Sequence, residues 1–106
     1  MENDKKIKVY VSGKITGLPK IEYLQLFRKA AERLFEEGYS VINPAVIQAL
    51  LPEDTTYEQY MQMSLLELSF CDAIYMLSNW QGSNGAKKEL EYARQHGYRI
   101  MYEVQP

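Results

Sequence analysis

The sequence is poor in residue types on which several protein classes depend. Its 106 residues include one cysteine and one histidine. One cysteine cannot form a disulfide within the chain, which favours a reducing compartment, the cytoplasm. The single histidine, His96, has no cluster of metal-ligating residues near it in the sequence, and we therefore expect no metal and no cofactor.

Two further absences limit the class of partner. The 12 lysines and arginines stand against 14 aspartates and glutamates, a net charge of −2, which leaves no basic surface for a nucleic-acid polymer. No apolar run approaches the roughly 20 residues of a membrane-spanning helix, and segment 1–6 is too polar for a signal peptide. Hydrophobic residues make up 46% of the chain, and we expect residues 1–106 to form a single domain with one core.

The hydrophobic patterns predict alternating strands and helices. The predicted strands cover residues 7–12, 39–42, 73–77 and 98–104, and the predicted helices cover residues 20–37, 45–51, 57–70 and the segment that contains Glu89. This order, β-α-β-α-α-β-α-β, is typical of an α/β fold. We expect a Rossmann-like (flavodoxin-like) parallel sheet of about four strands, flanked by helices.

Helix 57–70 has apolar residues on more than one side. A helix of this kind is expected to be buried on most sides. In so small a domain, one of these sides is predicted to form a subunit interface of a homodimer or a larger homo-oligomer. Ligand contact through its tyrosines and methionines and plain packing are the alternatives.

Polar loops follow three of the predicted strands. They contain Gly13–Gly17, Asn43-Pro44 and Ser78–Gly85. Ligands bind beyond the carboxyl ends of the strands in open parallel sheets, so these loops together predict a small-molecule site. The loop with Lys14 and Thr16 is suited to a phosphate, although an ordinary strand-to-helix connection is the alternative.

Glu89 is the leading catalytic candidate. It lies one turn into a helix, beside an apolar stripe of Ala86, Leu90 and Ala93 that is expected to face the sheet. A carboxylate at the edge of a buried stripe, next to a polar loop, is suited to chemistry. The alternative is a surface glutamate paired with a nearby lysine.

Four segments of the sequence, taken in order, resemble one known family. They are Tyr10–Gly17 (YVSGKITG), Asn43-Pro44, Cys71–Ile74 (CDAI) and Ser83–Ala93 (SNGAKKELEYA). The chain resembles the nucleoside 2-deoxyribosyltransferase superfamily, above all its small bacterial and phage branch and its 2′-deoxynucleoside 5′-monophosphate N-hydrolases. The resemblance covers most of the chain, from Lys6 to Tyr102.

The resemblance implies cleavage of an N-glycosidic bond through a glycosyl–enzyme ester. Glu89 matches the family nucleophile, in the pattern E-x-x-x-A that Ala93 completes. Tyr10 matches the tyrosine that orients this carboxylate, and Asp72 matches the acid that protonates the leaving base. For Asp72, a turn or strand-end cap is an equally good interpretation of the sequence alone.

The resemblance also implies a substrate class. Transferases of the family tend to carry an acidic residue where this chain has Ser83, and the monophosphate hydrolases carry serine, so a 5′-monophosphate is expected. Trp80 is expected to stack on the base, or else simply to cover a loop. The expected substrate-binding residues are Gly13, Lys14, Ile15, Thr16, Gly17, Asn43, Trp80, Ser83 and Gly85.

The sequence therefore predicts cleavage of a nucleoside or 2′-deoxynucleoside 5′-monophosphate, by hydrolysis or base transfer. The alternative is a nucleotide-binding or sensor module of the same fold without turnover. The set Tyr10, Asp72 and Glu89 favours the enzyme. The lack of a clear match to the C-terminal residue that larger relatives contribute from a neighbouring subunit favours the binding module.

Overall fold

A computed structural model describes residues 5–104 of the chain. Within this range every predicted element is present in the predicted order, with bounds that differ by one or two residues. The strands are β1 (Lys8–Ser12), β2 (Ser40–Ile42), β3 (Ala73–Met76) and β4 (Arg99–Tyr102), and the helices are α1 (Lys20–Glu36), α2 (Pro44–Leu50), α3 (Tyr57–Ser69) and α4 (Asn84–Gln95). No helix within residues 5–104 is long and apolar enough to cross a membrane.

The strands form one parallel sheet in the order β2-β1-β3-β4, which confirms the predicted α/β architecture. The chain leaves β1 toward β2 on one side and leaves β3 toward β4 on the other. The strand order therefore reverses between β1 and β3, the position at which open α/β sheets bind ligands. β2 pairs with β1 only as far as Tyr10, whereas β1 continues to Ser12.

Alternate residues of β1 point into two hydrophobic clusters, one on each face of the sheet. Val9 and Val11 pack with α1 on one face. Tyr10 packs with residues of α3 and α4 on the other. All four residues of β3 are buried, as expected for a strand of a parallel sheet that helices cover on both faces.

Local signals set the ends of the helices. Gly38 has φ +100° and ends α1 in the left-handed conformation. The Thr56 hydroxyl accepts from the Gln59 amide, and the Gln59 side chain accepts from the Thr56 amide, which together form a capping box at the start of α3. The Asn43 side chain caps α2 by accepting from the Ala45 amide.

Helix α3 is less covered than predicted. Only Ser64 and Leu68 are buried, whereas Leu66 and Phe70 are 60% and 58% exposed. The expectation of burial on most sides is therefore wrong for the single chain. The apolar residues of α3 lie on two sides of the helix. One side packs against α4 and the sheet, and the other faces outward.

Candidate functional site

A cavity of about 670 Å³ lies at the carboxyl end of β1, between α1, α3 and the first turn of α4. Its volume is typical of small-molecule sites. Part of its lining comes from the loops after β1 and β3, between which the strand order reverses. The residues that line it are Tyr10, Val11, Gly13, Lys14, Ile15, Thr16, Tyr23, Phe27, Pro44, Gln48, Tyr57, Tyr60, Met61, Ser64, Gly82, Ser83, Asn84, Gly85, Ala86 and Glu89.

Glu89 lines this cavity and is buried, with 6% of its surface exposed. The Tyr10 hydroxyl donates to Glu89 Oε2 over 2.9 Å, and the Ser12 hydroxyl donates to Oε1 over 2.6 Å. Tyr10 and Ser12 are two positions apart on β1 and so point to the same face. The surface alternative for Glu89 is wrong, because its partners are buried hydroxyl groups of the sheet.

Burial raises the pKa of Glu89 from its ordinary 4.5 to about 7. The nearby hydroxyls of Ser12, Tyr10 and Ser64 partly offset the rise, and the negative charge of Glu67 adds to it. Burial and the Glu89 charge hold the pKa of Tyr10 well above 10. Tyr10 therefore keeps its proton and remains a donor to the carboxylate.

Ser64 and Gln48 extend the polar network from the helical side of the cavity. The Gln48 side-chain amide donates to the Ser64 hydroxyl over 3.2 Å. Ser64 thereby accepts from Gln48 and retains its own proton to donate toward Glu89. Sequence analysis missed both residues, although a small polar residue in the middle of an apolar helix was a usable signal for Ser64.

The loop after β1 approaches the loop after β3 closely. The Lys14 amide donates to Asn79 Oδ1 over 2.9 Å. A Cβ atom at Gly13 would lie 2.6 Å from Leu77 Cδ1, so the approach requires glycine. The Lys14 side chain lies beside Gly82, where a Cβ atom would be 3.8 Å from its Nζ. Lys14 thus brings a positive charge to the mouth of the cavity.

The amino terminus of α4 forms the wall beside Lys14. The Ser83 hydroxyl caps the helix by accepting from the Ala86 amide over 3.0 Å, and its proton is free to be donated. The amides of Asn84 and Gly85 have no acceptor within the helix. A Cβ atom at Gly85 would lie 3.2 Å from Met61 Sδ, so glycine here allows α3 to pack closely. This wall is suited to an anion.

Eight of the predicted site residues therefore line one cavity. They are Tyr10, Gly13, Lys14, Ile15, Thr16, Ser83, Gly85 and Glu89.

Asp72 is the main disagreement between the sequence prediction and the structure. It directly precedes β3, at the amino-terminal edge of the sheet, whereas Glu89 lies beyond the carboxyl ends. Its carboxylate is exposed and accepts from the Lys8 amide over 3.0 Å. This position is incompatible with protonation of a base in the cavity. The alternative interpretation, a strand-end cap, is the one that the structure supports.

Three further predicted residues do not line the cavity. Trp80 packs against Tyr102, with ring centroids 6.1 Å apart, and it does not line the cavity. Asn43 uses its side chain to cap α2. Gly17, with φ +90°, turns the chain toward α1 and contributes no cavity wall.

Aromatic side chains that received no specific role from sequence analysis form much of the cavity wall. Tyr23 and Phe27 come from α1, and Tyr57 and Tyr60 from the first turn of α3. For the tyrosines of α3, the sequence left two alternatives, ligand contact and plain packing. Tyr23 and Phe27 are four positions apart on the buried face of α1, where no sequence signal separates a cavity wall from a core.

Within residues 5–104, no three histidine, cysteine, aspartate or glutamate side chains are grouped so that they could hold a metal ion. No curated protein sequence matches the chain. The model of the family described as "Domain of unknown function (DUF4406)" matches residues 7–102, a range that contains all four strands and all four helices described above. The chain belongs to that family.

Proposed function

We propose that the chain cleaves the N-glycosidic bond of a nucleoside 5′-monophosphate, by hydrolysis or by transfer to another base. The observation that carries the proposal is the Glu89 carboxylate, buried in the cavity and held by Tyr10 and Ser12. A buried carboxylate held by hydroxyl groups rather than by a cation is costly to the fold, and such groups concentrate at functional sites.

The arrangement of Glu89 suits attack on a sugar. Departure of the base leaves positive charge on C1′ and the ring oxygen, which a carboxylate stabilises or traps as an ester. Tyr10 and Ser12 each occupy one lone pair of a carboxylate oxygen, which fixes its orientation and leaves other lone pairs for C1′. Water or a second base then attacks C1′ and releases Glu89.

The walls of the cavity support a phosphate on the substrate. Lys14 supplies a positive charge, and Ser83 with the first amides of α4 supplies donors. The resemblance to the nucleoside 2-deoxyribosyltransferase superfamily supports the same substrate, because Ser83 stands where transferases tend to carry an acid that would repel a phosphate.

A chromatographic assay for free base tests the proposal. The substrates are ribo- and 2′-deoxyribonucleoside 5′-monophosphates and the matching nucleosides, with and without an acceptor base. Glu89→Gln keeps the shape of the side chain and removes its charge, and Glu91→Gln, an exposed glutamate of the same helix, is the matched control. We expect release of base by the wild type and by Glu91→Gln, and its loss in Glu89→Gln.

A nucleotide-binding or sensor module is the second candidate function. It is favoured by the position of Asp72, which leaves the cavity without the acid expected beside the base. In that case no substrate releases base, and nucleoside monophosphates still raise the melting temperature of the wild type.

We further propose that two copies associate through the outer side of α3. Leu66 and Phe70, the residue that directly follows α3, are four positions apart, and so they lie on one side of this helical segment. Light scattering after size exclusion should give a dimer for the wild type and a monomer for Leu66→Glu. Gln62→Glu, an exposed polar position of α3, should leave the dimer intact.

A further inference from the structure

Few charged side chains line the cavity. Among the described residues that line it, Glu89 is the only carboxylate and Lys14 the only basic side chain. The remaining polar groups are hydroxyls and amides. A site that removes a base from a sugar needs a carboxylate at C1′, which Glu89 provides, and commonly an acid at the base. Glu89 is placed to act as the carboxylate at C1′. No described lining residue is placed to act as the acid at the base.

Three other carboxylates, those of Asp72, Glu103 and Glu67, do not line the cavity. Asp72 lies at the opposite edge of the sheet, on the Lys8 amide. Glu103 accepts from the Ser78 amide over 2.8 Å, on the β4 side. Glu67 is on α3, close enough to influence the charge of Glu89, but does not line the cavity. Glu89 cannot donate a proton in the same step in which its carboxylate attacks.

The absence of a second carboxylate among the described residues that line the cavity selects among leaving groups. A neutral purine or pyrimidine leaves with the electron pair of the C1′–N bond and becomes an anion unless a proton arrives, and such proton transfer is worth about 10²- to 10⁴-fold in rate. Tyrosine hydroxyls and lysine ammonium groups are far weaker acids than a carboxylic acid. A ring nitrogen that already bears a positive charge leaves as a neutral molecule and needs no proton.

The aromatic wall of the cavity suits the same kind of ring. Five aromatic side chains line it: Tyr10, Tyr23, Phe27, Tyr57 and Tyr60. Aromatic rings attract cations, most strongly where water is excluded. Tyr57 already holds the Lys88 ammonium 4.9 Å from its ring centroid, and the rings of α1 and Tyr60 remain for a ligand.

We infer that the glycosidic bond cleaved here joins C1′ to a cationic ring nitrogen, as in a pyridinium or N-alkylated purine nucleoside monophosphate. The inference rests on the proposed function and specifies its leaving group. Three observations carry it: a single carboxylate among the described lining residues, the placement of Asp72, Glu103 and Glu67 outside the lining, and an aromatic wall.

The reaction balances without an acid. The C1′–N bond breaks, both electrons go to the ring nitrogen, and its positive charge is neutralised. The positive charge passes to C1′, where a Glu89 oxygen forms an ester bond. Water then attacks C1′, the ester bond returns its electrons to Glu89, and the proton of the attacking water goes to solvent. Each turnover therefore releases one neutral base and one proton.

The charge of the substrate also matches the state of Glu89. Tyr10 and Ser12 from β1, and Ser64 and Glu67 from α3, are the polar and charged groups around this carboxylate. Burial raises its pKa to about 7. A cation bound beside it favours the ionised form, because opposite charges attract strongly in a buried site. Substrate binding therefore promotes the form of Glu89 that reacts.

Two matched pairs of substrates test the inference on the full chain. The first is 7-methylguanosine 5′-monophosphate against guanosine 5′-monophosphate. The second is nicotinamide mononucleotide against its dihydro form, in which the ring has no charge. In at least one pair, kcat/KM should be higher for the cationic member by at least about 100-fold, the lower end of what an acid would contribute. Glu89→Gln should abolish this activity and Glu91→Gln should retain it.

A pH-stat gives an independent readout, since cleavage of the cationic member should release one proton per base. If kcat/KM for the cationic member exceeds that for the neutral member by less than about 100-fold in both pairs, and neutral nucleotides are cleaved, the inference is overturned and the proposed function stays intact. Failure to cleave any nucleotide, cationic or neutral, overturns both. Proton release without release of base overturns the balanced reaction given above, and with it the inference.

Discussion

At the scale of single residues, the Tyr10 hydroxyl is one of the groups that set how readily Glu89 ionises. With Ser12, it donates to a carboxylate whose burial opposes its charge. A hydrogen bond to a charged group is worth about 1.5–3 kcal/mol, which corresponds to roughly one to two pH units. The activity of the wild type should therefore rise with pH through about 7, as Glu89 loses its proton.

Tyr10→Phe should move the midpoint of the rise in kcat/KM with pH upward by about one unit, because the neutral form of Glu89 gains relative stability. The measurement is the pH profile of base release. Tyr75→Phe is the control, since that hydroxyl contacts Arg33 on the other face of the sheet. An unchanged midpoint in Tyr10→Phe would show that the carboxylate does not depend on this donor.

For two residues, Ser12 and Asp72, the sequence carries positional signals that the predictions did not use. Ser12 stands two positions after Tyr10, so the alternation of a strand already places it beside Glu89. Asp72 precedes its strand rather than following it, and the rule that placed the loops at the carboxyl ends puts it at the opposite edge. Trp80 could not be placed, because its contact with Tyr102 depends on how β4 docks.

At the scale of elements, Gly13 allows the loop after β1 to contact the end of β3. Gly13→Ala should reduce the free energy of unfolding by about 1–3 kcal/mol, because its Cβ atom would overlap with the Leu77 side chain. Gly82→Ala is the control, since nothing lies closer than 3.7 Å to a Cβ atom there. Urea unfolding of both variants checks the prediction, and an equal effect in the two would contradict it.

The cap of α3 couples that helix to the cavity. Thr56→Ala should lower the free energy of unfolding by about 1 kcal/mol, since the Gln59 amide loses its acceptor. It should also raise KM, because Tyr57 and Tyr60 in the following turn line the cavity. Thr56→Ser keeps the hydroxyl and should restore both values. A rise in KM that Thr56→Ser does not reverse would count against this coupling.

The elements themselves were predictable because their signals are local. Alternation and helical spacing each act within a few residues, and they are enough to predict the order of strands and helices. Which side of α3 meets the rest of the chain is a tertiary property. The sequence alone therefore did not distinguish the outward Leu66 and Phe70 from the cavity-lining tyrosines.

For the whole molecule, the buried Glu89 makes stability depend on pH. Its pKa is about 7 in the folded chain and about 4.5 when exposed, so the folded state binds more protons between these values. The stability that the folded chain gains by binding a proton at Glu89 is complete below pH 4.5 and is lost as pH rises through 7. The difference of about 2.5 pH units corresponds to roughly 3 kcal/mol.

Glu89→Gln should remove this part of the pH dependence and be more stable than the wild type above pH 7. Glu67, whose pKa burial also raises, contributes in the same direction in both proteins, and so the difference between the two curves reports Glu89 together with its charge coupling to Glu67. Chemical denaturation at several pH values measures it. Parallel curves for wild type and variant would show that the folded chain does not resist ionisation of Glu89.

The hydrogen bonds that hold Glu89 also have a consequence for the order of folding. They join residues 79 and 77 positions apart, from the first strand to the last helix. Contacts of such separation require closure of long loops and form late, whereas helices form from nearby residues. During refolding, helical signal should therefore appear before the carboxylate becomes shielded from water. Recovery of activity would mark the final docking of α4 onto β1, and partly folded chains would carry helices but no site.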